Sequence, residues 1–428
     1  MGYSSIRPSK HKNTQRPAGS IITALDVGST KICCFIARVE EAGHIRIIGI
    51  GHHASAGVKA GAVVDMEAAA IAISHAVHQA ERMAGQTIEN VLVNLSGPHA
   101  RSHRAEVDIG VGGDQVTDAE IYRAIAQARA VDLGEDQDLV HAMPVGYSLD
   151  GQRGIEDPLG MYGKLLGVHM HLVSGATGPM RNLTACIERS QLEVEAFCLG
   201  SYAAGFASLT EDEMRLGVTL IDIGGGTTDI AVFQDMSTVH TDCLPVGGSH
   251  VTNDLAQGLG TAVGHAERIK TLYGSALPAI GDDEELIDVP RLGEDDDMVH
   301  QQEQVPRSLI VGMMRPRLEE IFELVRNRLE RSGADQFGGR RVVLTGGTSQ
   351  ITGIRELAGM MLDKQVRLGR PNRLLGLAHA TTGPGFATAA GLLHYGLEHR
   401  IENVPEMTVI APELPWYQRV SHWLKENL

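Results

Sequence analysis

"LIDIGGGTTDIAVF", Leu220 to Phe233, decides the fold. An apolar run ends at Asp222, three glycines and two threonines follow, and a second apolar run begins after Asp229. Both runs read as strands, so the cluster is the turn of a hairpin. Gly224, Gly225 and Gly226 allow positive φ and close approach of the backbone to a ligand. Successive amides at such a turn converge on an anion. Thr227 and Thr228 add hydroxyl donors. Asp222 closes the first strand and faces the same space, where it can hold a hydrated Mg2+ through water.

Asp26-Val27-Gly28-Ser29-Thr30-Lys31 repeats the plan, with Asp26 in the place of Asp222 and Lys31 adding a positive charge. Common phosphate loops run strand, loop, helix. Here each turn runs strand, loop, strand. No G-x-x-x-x-G-K-[ST] occurs, and "GIGHHAS" is only a weak G-x-G match. One such turn alone is ordinary. Two matched turns far apart predict an internal duplication, with two related domains gripping one polyphosphate from both sides. A third turn, Thr345-Gly346-Gly347-Thr348-Ser349, ends a strand at Val342–Leu344 and opens a helix. Gly346, Gly347 and Ser349 are candidate nucleoside contacts, the glycines leaving room for a base and ribose, although a plain β–α turn has the same appearance.

The bulk composition agrees with an α/β protein. The chain has 428 residues, enough for two or three domains. It is 43% hydrophobic but only 4% aromatic, so the core is aliphatic. A net charge of −16 and no broad basic stretch argue against a nucleic-acid partner. No apolar run reaches the ~18 residues of a spanning helix. The polar, basic start "MGYSSIRPSKHKNTQRPAGS" is no signal peptide, and Ile6 breaks the myristoylation pattern. Residues 1–19 read as a disordered tail. Cys33, Cys34, Cys186, Cys198 and Cys243 form no C-x-x-C pair and read as reduced core residues, the adjacent pair pointing to opposite faces of a strand. His75/His78 and His169/His171 are close in sequence, but no cysteine or carboxylate set completes a metal site with them.

Helices are expected at about 66–83, 118–130 after a Thr117 cap, from a Thr252–Asp254 cap onward, across "TAVGHAERIKTLYG", at about 318–331 and across "GPGFATAAGLLHYG". Residues 89–172 read as an inserted unit. Acidic clusters at 282–285 and 294–297 read as a solvated loop.

Two phosphate hairpins followed by a nucleoside turn resemble the actin-like ATPase superfamily over nearly all of residues 20–397. The resemblance implies two RNase-H-like domains, each split into subdomains, with ATP and Mg2+ in the cleft. In "HAERIK", Glu267 and Lys270 match the pair that meets ribose and base in bacterial actin relatives; a surface i,i+3 salt bridge is the alternative. Within the superfamily the phrases "HIRIIGIGHHASAGVKAGAVVDMEAAAIAISHAVHQAERMAG", "VLVNLSGPHARS", "RVVLTGGTSQITGI" and "TAAGLLHYG" resemble the FtsA family of bacterial cell-division proteins. That resemblance implies subdomain 1A at 20–88 and 173–212 with 381–397 returning to it, an SHS2-like 1C at 89–172, 2A at 213–246 and 306–380, and 2B at 247–305. It also implies self-association into filaments, an FtsZ C-terminal peptide at 2B, later divisome proteins through 1C, and slow ATP hydrolysis.

After a linker at 398–414, residues 415–428 read as an amphipathic helix. Trp416, Val420, Trp423 and Leu424 share one side, and Arg419 and Lys425 lie towards the other edge. Tryptophans at the polar boundary with flanking cations suit the membrane interface, which the family resemblance implies is the cytoplasmic face of the inner membrane. Polymerisation would strengthen a weak anchor by avidity. The expected function is a polymerising ATP-binding tether of FtsZ at the division site. The competing readings are a soluble kinase or ATPase of the same fold, and a PilM-like pilus-assembly protein, which usually lacks the final helix.

Overall fold

The run Ile21–Val27 (β1) pairs antiparallel with Lys31–Val39 (β2), which pairs with Ile45–Ala54 (β3). Side-chain alternation sorts these strands into two layers. Leu25, Ile32, Cys34 and Ile36 join one core, and Ala24, Cys33, Phe35 and Ala37 join the other. The computed structural model describes residues 16–112, 115–290, 303–371, 374–376 and 381–398. The final helix read at 415–428, with its membrane residues, lies outside them, as do the linker from 399 onward and the first fifteen residues. Residues 16–19, read as part of the tail, are attached to the body. Arg16 donates to Gly396 O at 3.0 Å and pairs with Glu195, and Gly19 N donates to Val39 O.

Two short strands, β4 (Val58–Lys59) and β5 (Ala62–Val63), lead to helix α1 (Met66–Ala84). Asp65 caps α1, its carboxylate accepting from Glu67 N and Ala68 N at 3.0 Å. The apolar stripe of α1 lies on β3 so closely that a Cβ on Gly51 would stand 1.8 Å from Ala76 O. Strand β6 (Asn90–Leu95) then runs parallel to β1. It therefore belongs to the first sheet, and the inserted unit begins after it rather than at residue 89. Its burial, with five of six residues inside, is that of a central strand.

The insert comprises β7 (Ala100–Gly110), α2 (Asp118–Arg129), β8 (Gln137–Leu149), β9 (Gln152–Ile155) and β10 (Leu165–Ala176). Its strands form an antiparallel sheet of order β7-β10-β8-β9, with α2 on one face. Thr117 and Glu120 close α2 with a capping box. The chain returns through α3 (Thr177–Glu188) and β11 (Glu193–Leu199), which pairs with β6, and then α4 (Gly200–Ser208).

The second half opens with α5 (Glu211–Leu216), β12 (Val218–Ile223), β13 (Thr228–Gln234) and β14 (Ser237–Leu244). Next come α6 (Gly248–Leu259), α7 (Val263–Tyr273), β15 (Leu286–Val289), β16 (Glu303–Pro306), α8 (Arg307–Ser332), β17 (Arg341–Thr345), α9 (Ile354–Leu362), β18 (Gln365–Leu368) and α10 (Ala387–Glu398). The second sheet has the order β14-β13-β12-β17-β18, the counterpart of β3-β2-β1-β6-β11 in the first. The expected duplication is thus a duplicated sheet topology. α10 crosses back, burying Ala389, Leu392 and Leu393 with Ile22 and Phe35 of the first sheet.

Three further expectations change. α8 starts at Arg307, eleven residues before the expected start, and runs through Pro316, because its buried stripe from Ile310 to Leu329 outweighs the bond that proline removes. α6 starts at Gly248 instead of at the Thr252–Asp254 cap, because its first amides bond to carbonyls of the Gly224–Gly226 turn. Asp282 is buried and accepts from Arg307 at 2.9 Å, so this part of the acidic loop is anchored; residues 294–297 lie outside the described residues.

The backbone approach of α1 to β3 sets a test. Gly51→Ala is expected to destabilise the chain by about 1–3 kcal/mol through overpacking. Gly146→Ala in β8, with nothing within 4 Å of its Cβ position, should stay within about 0.5 kcal/mol. Urea denaturation of both variants checks the contrast.

Candidate functional site

The two sheets present their first hairpins to one cleft of about 670 Å3. The turns share one geometry: Gly28 N donates to Lys31 O at 3.0 Å, and Gly224 N to Thr227 O at 2.9 Å. These two amides are spent inside the turns. The hairpins meet tip to tip. A Cβ on Gly225 would lie 2.3 Å from Thr30 Cγ2, and one on Gly226 would lie 2.5 Å from Ser29 Oγ. Glycine at these positions is required by the opposing hairpin.

The second hairpin also anchors two later segments of the chain. Gly224 O accepts from Gly248 N at 2.9 Å and from Thr348 Oγ1 at 2.8 Å, and Gly225 O accepts from Ser249 N at 2.8 Å. Thus the start of α6 and the third glycine turn are both tied to it. Gly346 has φ +85° and presses against Asp222, where a Cβ would stand 2.3 Å from Oδ1. Gly347 is open, with nothing within 4 Å of its Cβ position.

Glu267 and Lys270 form the expected i,i+3 pair on α7 at 2.6 Å. The pair is more than a surface bridge. Lys270 is buried and donates to Gly248 O at 3.2 Å and Thr252 Oγ1 at 2.9 Å, while Thr252 Oγ1 donates to Glu267 Oε2 at 2.5 Å. Of the residues expected at the site, Asp26, Gly28, Ser29, Thr30, Lys31, Asp222, Gly224, Gly225, Gly226, Thr227, Glu267, Lys270, Gly346 and Gly347 line this cleft. Thr228 and Ser349 do not. Thr228 Oγ1 points into the second domain and donates to Val246 O at 2.8 Å, and Ser349 Oγ donates to Gly346 O at 2.7 Å, bracing the turn.

The floor of the cleft is acidic. Burial, together with Asp222, pushes Asp26 up to about 7 against the opposing pull of Lys31. Burial pushes Asp222 to about 6, opposed by the Thr388 hydroxyl and Lys31. Asp229 is raised to about 7, first by burial and then by Asp222, its cross-strand neighbour. Asp229 lines the cleft with one oxygen bonded to Thr227, and the sequence reading did not select it. Crowded carboxylates of this kind are hard oxygen donors short of positive charge, a set that fits a divalent cation.

The sequence reading also missed the turn before α10. Pro384 O accepts from Thr345 Oγ1 at 3.1 Å and Gly346 N at 3.3 Å. Gly385 O accepts from Lys31 Nζ, and Thr388 Oγ1 donates to Asp222 Oδ2 at 2.9 Å. The Pro-Gly-Phe start of the helix was the available signal.

A carboxyl whose folded pKa lies above its unfolded value keeps its proton longer in the folded state. Its effect on stability is absent below the unfolded value of 3.8 and becomes unfavourable as pH rises towards 7. Asp26→Asn should therefore raise the Tm of the ligand-free chain at pH 8 by several degrees, with the gain shrinking to nothing near pH 4. Thermal melts of variant and wild type across this range measure the difference.

Known proteins share these features. A family model described as "Cell division protein FtsA" matches residues 219–391, and one described as "SHS2 domain inserted in FTSA" matches 97–174. The chain is 41% identical to the cell division protein FtsA of Rhizobium meliloti (strain 1021), covering 100% of this chain and 98% of that one. It is 36% identical to that of Pseudomonas aeruginosa, over 96% of this chain and 99% of the relative, and 32% identical to that of Escherichia coli (strain K12), over 95% and 98%. Among solved structures, the PilM-PilN type IV pilus biogenesis complex matches with TM-score 0.62 at 15% identity, over 88% of this chain and 98% of that one. MreB5 of Spiroplasma citri bound to ADP matches with TM-score 0.54 at 15% identity, over 90% and 100%. These two likenesses show the actin-like fold, and the sequence relatives decide among its members: the chain belongs to the FtsA family of cell division proteins.

Proposed function

We propose that the chain binds ATP with Mg2+ in this cleft and, so loaded, polymerises on the cytoplasmic face of the inner membrane. There it tethers FtsZ filaments at the division site and recruits later divisome proteins. The observation that carries the nucleotide reading is the meeting of three glycine turns, two buried aspartates and Lys31 around one cleft. The hairpin tips and Lys31 face the phosphates, Asp26 and Asp222 hold Mg2+ directly or through water, and Gly346 and Gly347 leave space for the nucleoside beside Glu267 and Lys270. Bound Mg2+ would supply positive charge to the phosphates. MreB5 of Spiroplasma citri has been solved with ADP and with AMPPNP, in line with this use of the fold.

The finer assignments extend the family membership. Subdomains 1A, 2A and 2B correspond to the two sheets and the α6 to β16 region, and 1C is the inserted sheet, beginning at residue 97. FtsZ's C-terminal peptide is placed at 2B, partner proteins at 1C, and lipid at Trp416, Arg419, Val420, Trp423, Leu424 and Lys425. Among the described residues no helix is long and apolar enough to cross a membrane. Slow hydrolysis follows in this reading from the family resemblance; the glycine turns account for binding and do not by themselves place an attacking water. The identity to cell division relatives disfavours the pilus-assembly and metabolic-kinase readings.

Liposome co-sedimentation of the full chain and of a chain ending at Leu414, each with and without Mg-ATP, tests the tether. Pelleting should require the last fourteen residues and increase with ATP, because polymers bind multivalently. Equal pelleting of the two chains would remove the membrane role of residues 415–428.

A further inference from the structure

The Lys31 ammonium is engaged on two sides by the turn before α10. Nζ donates to Gly385 O at 2.5 Å and stands 3.4 Å from the centroid of the Phe386 ring. Phe386 is fixed in turn, stacked on Phe35 with centroids 6.1 Å apart and met edge-on by His52 at 6.5 Å. The same turn reaches the second hairpin through Thr388 and the third glycine turn through Pro384. It continues directly into α10, whose buried face belongs to the core of the first sheet. One short segment therefore touches all three glycine turns, and a single cation holds it to the first.

A carbonyl and a ring face are neutral partners. A phosphate offers the same ammonium a charge-assisted bond, roughly twice as strong as a neutral one. Cation–π attraction at a partly exposed site is worth about 0.5–1 kcal/mol, so the ring holds the ammonium only weakly against an anion. We propose that the 383–388 turn is a latch which Lys31 holds shut, and which a phosphate group in the cleft releases by drawing Lys31 away. Phosphate occupancy then loosens the start of α10. The inference rests on the nucleotide reading of the cleft. It adds a direction of coupling: the first hairpin transmits occupancy to the last described helix through one side chain.

The Phe386 amide donates to Gly383 O at 3.1 Å, so its hydrogen exchange reports whether the turn is closed. The experiment is exchange mass spectrometry of peptides spanning 383–398 in the full chain, with no ligand, with adenosine and with Mg-ATP. A fluorescent ATP analogue is titrated in parallel into wild type and Phe386→Leu. A latch predicts faster exchange with Mg-ATP but not with adenosine. It also predicts analogue binding about 2–5-fold tighter in Phe386→Leu, since the ring no longer competes for the ammonium. Slower exchange with Mg-ATP, or weaker binding by the variant, would mean that the ring positions Lys31 for phosphate, and the latch is overturned. If Phe386→Leu does not fold, the wild-type exchange decides alone. Absence of analogue binding to wild type would overturn the nucleotide reading itself, and the latch with it, a result distinct from binding without loosening.

Discussion

Two carboxylates and one ammonium are held where two sheets converge, and the surrounding architecture serves that arrangement. Asp26 and Asp222 end equivalent strands, so the duplicated topology brings their charges together by construction. Burial is the main cause of the raised pKa values of both, and Asp222 adds to the rise at Asp26. What prevents the hairpins from relaxing apart in the described structure is contact elsewhere. Thr30 and Ser29 fill the Cβ space of Gly225 and Gly226, and the carbonyls of the glycine turn hold α6 and Thr348. A site of buried carboxylates braced by hydrogen bonds is well suited to a ligand that brings positive charge.

Much of this was readable from residues. The D-x-G hairpins announced themselves because strand alternation and glycine turns are local properties, and their repetition carried the duplicated sheets. The i,i+3 spacing of Glu267 and Lys270 similarly fixed a helix face. Long-range matters were not readable. Thr228 looked like a phosphate donor, yet the hairpin register turns its hydroxyl to Val246 O. Ser349 looked like a ligand, yet it braces Gly346. The Pro384–Thr388 turn joins the cleft across more than 350 residues of chain, as the Lys31 bond shows, and no local pattern encodes such a meeting. The expected start of α8 near Leu318 came too late, since eight buried residues along one face carry the helix through Pro316.

The histidines of the inserted sheet show the same division between local pattern and tertiary placement. His169 and His171 are two apart on β10, an arrangement that invites thoughts of a metal. In the fold His171 is fully buried, bonded to Ser102 at 2.7 Å, and burial depresses it to about 3. His141, on β8, accepts from Leu199 N at 2.9 Å and meets the rings of Tyr202 and Tyr395. His141 thus fastens the insert to the first domain, whereas the His171–Ser102 bond ties two strands within the insert, where His171 works as a neutral ring.

The insert is attached with little disturbance to its host. Its first strand begins at Ala100 and its last ends at Ala176, and Ala100 and Gly175 are direct partners across the β7–β10 ladder. The host chain therefore leaves and returns at almost one point, so that to the first sheet some seventy-five residues of extra protein amount to a tight loop. A module seated this way interrupts no strand pairing of the two cleft domains, although His141, Met143 and Val173 of the insert are packed against Leu199 of its host. Its surface is then free to diversify at a pace set by its partners, while the cleft stays under the constraints of its own charges.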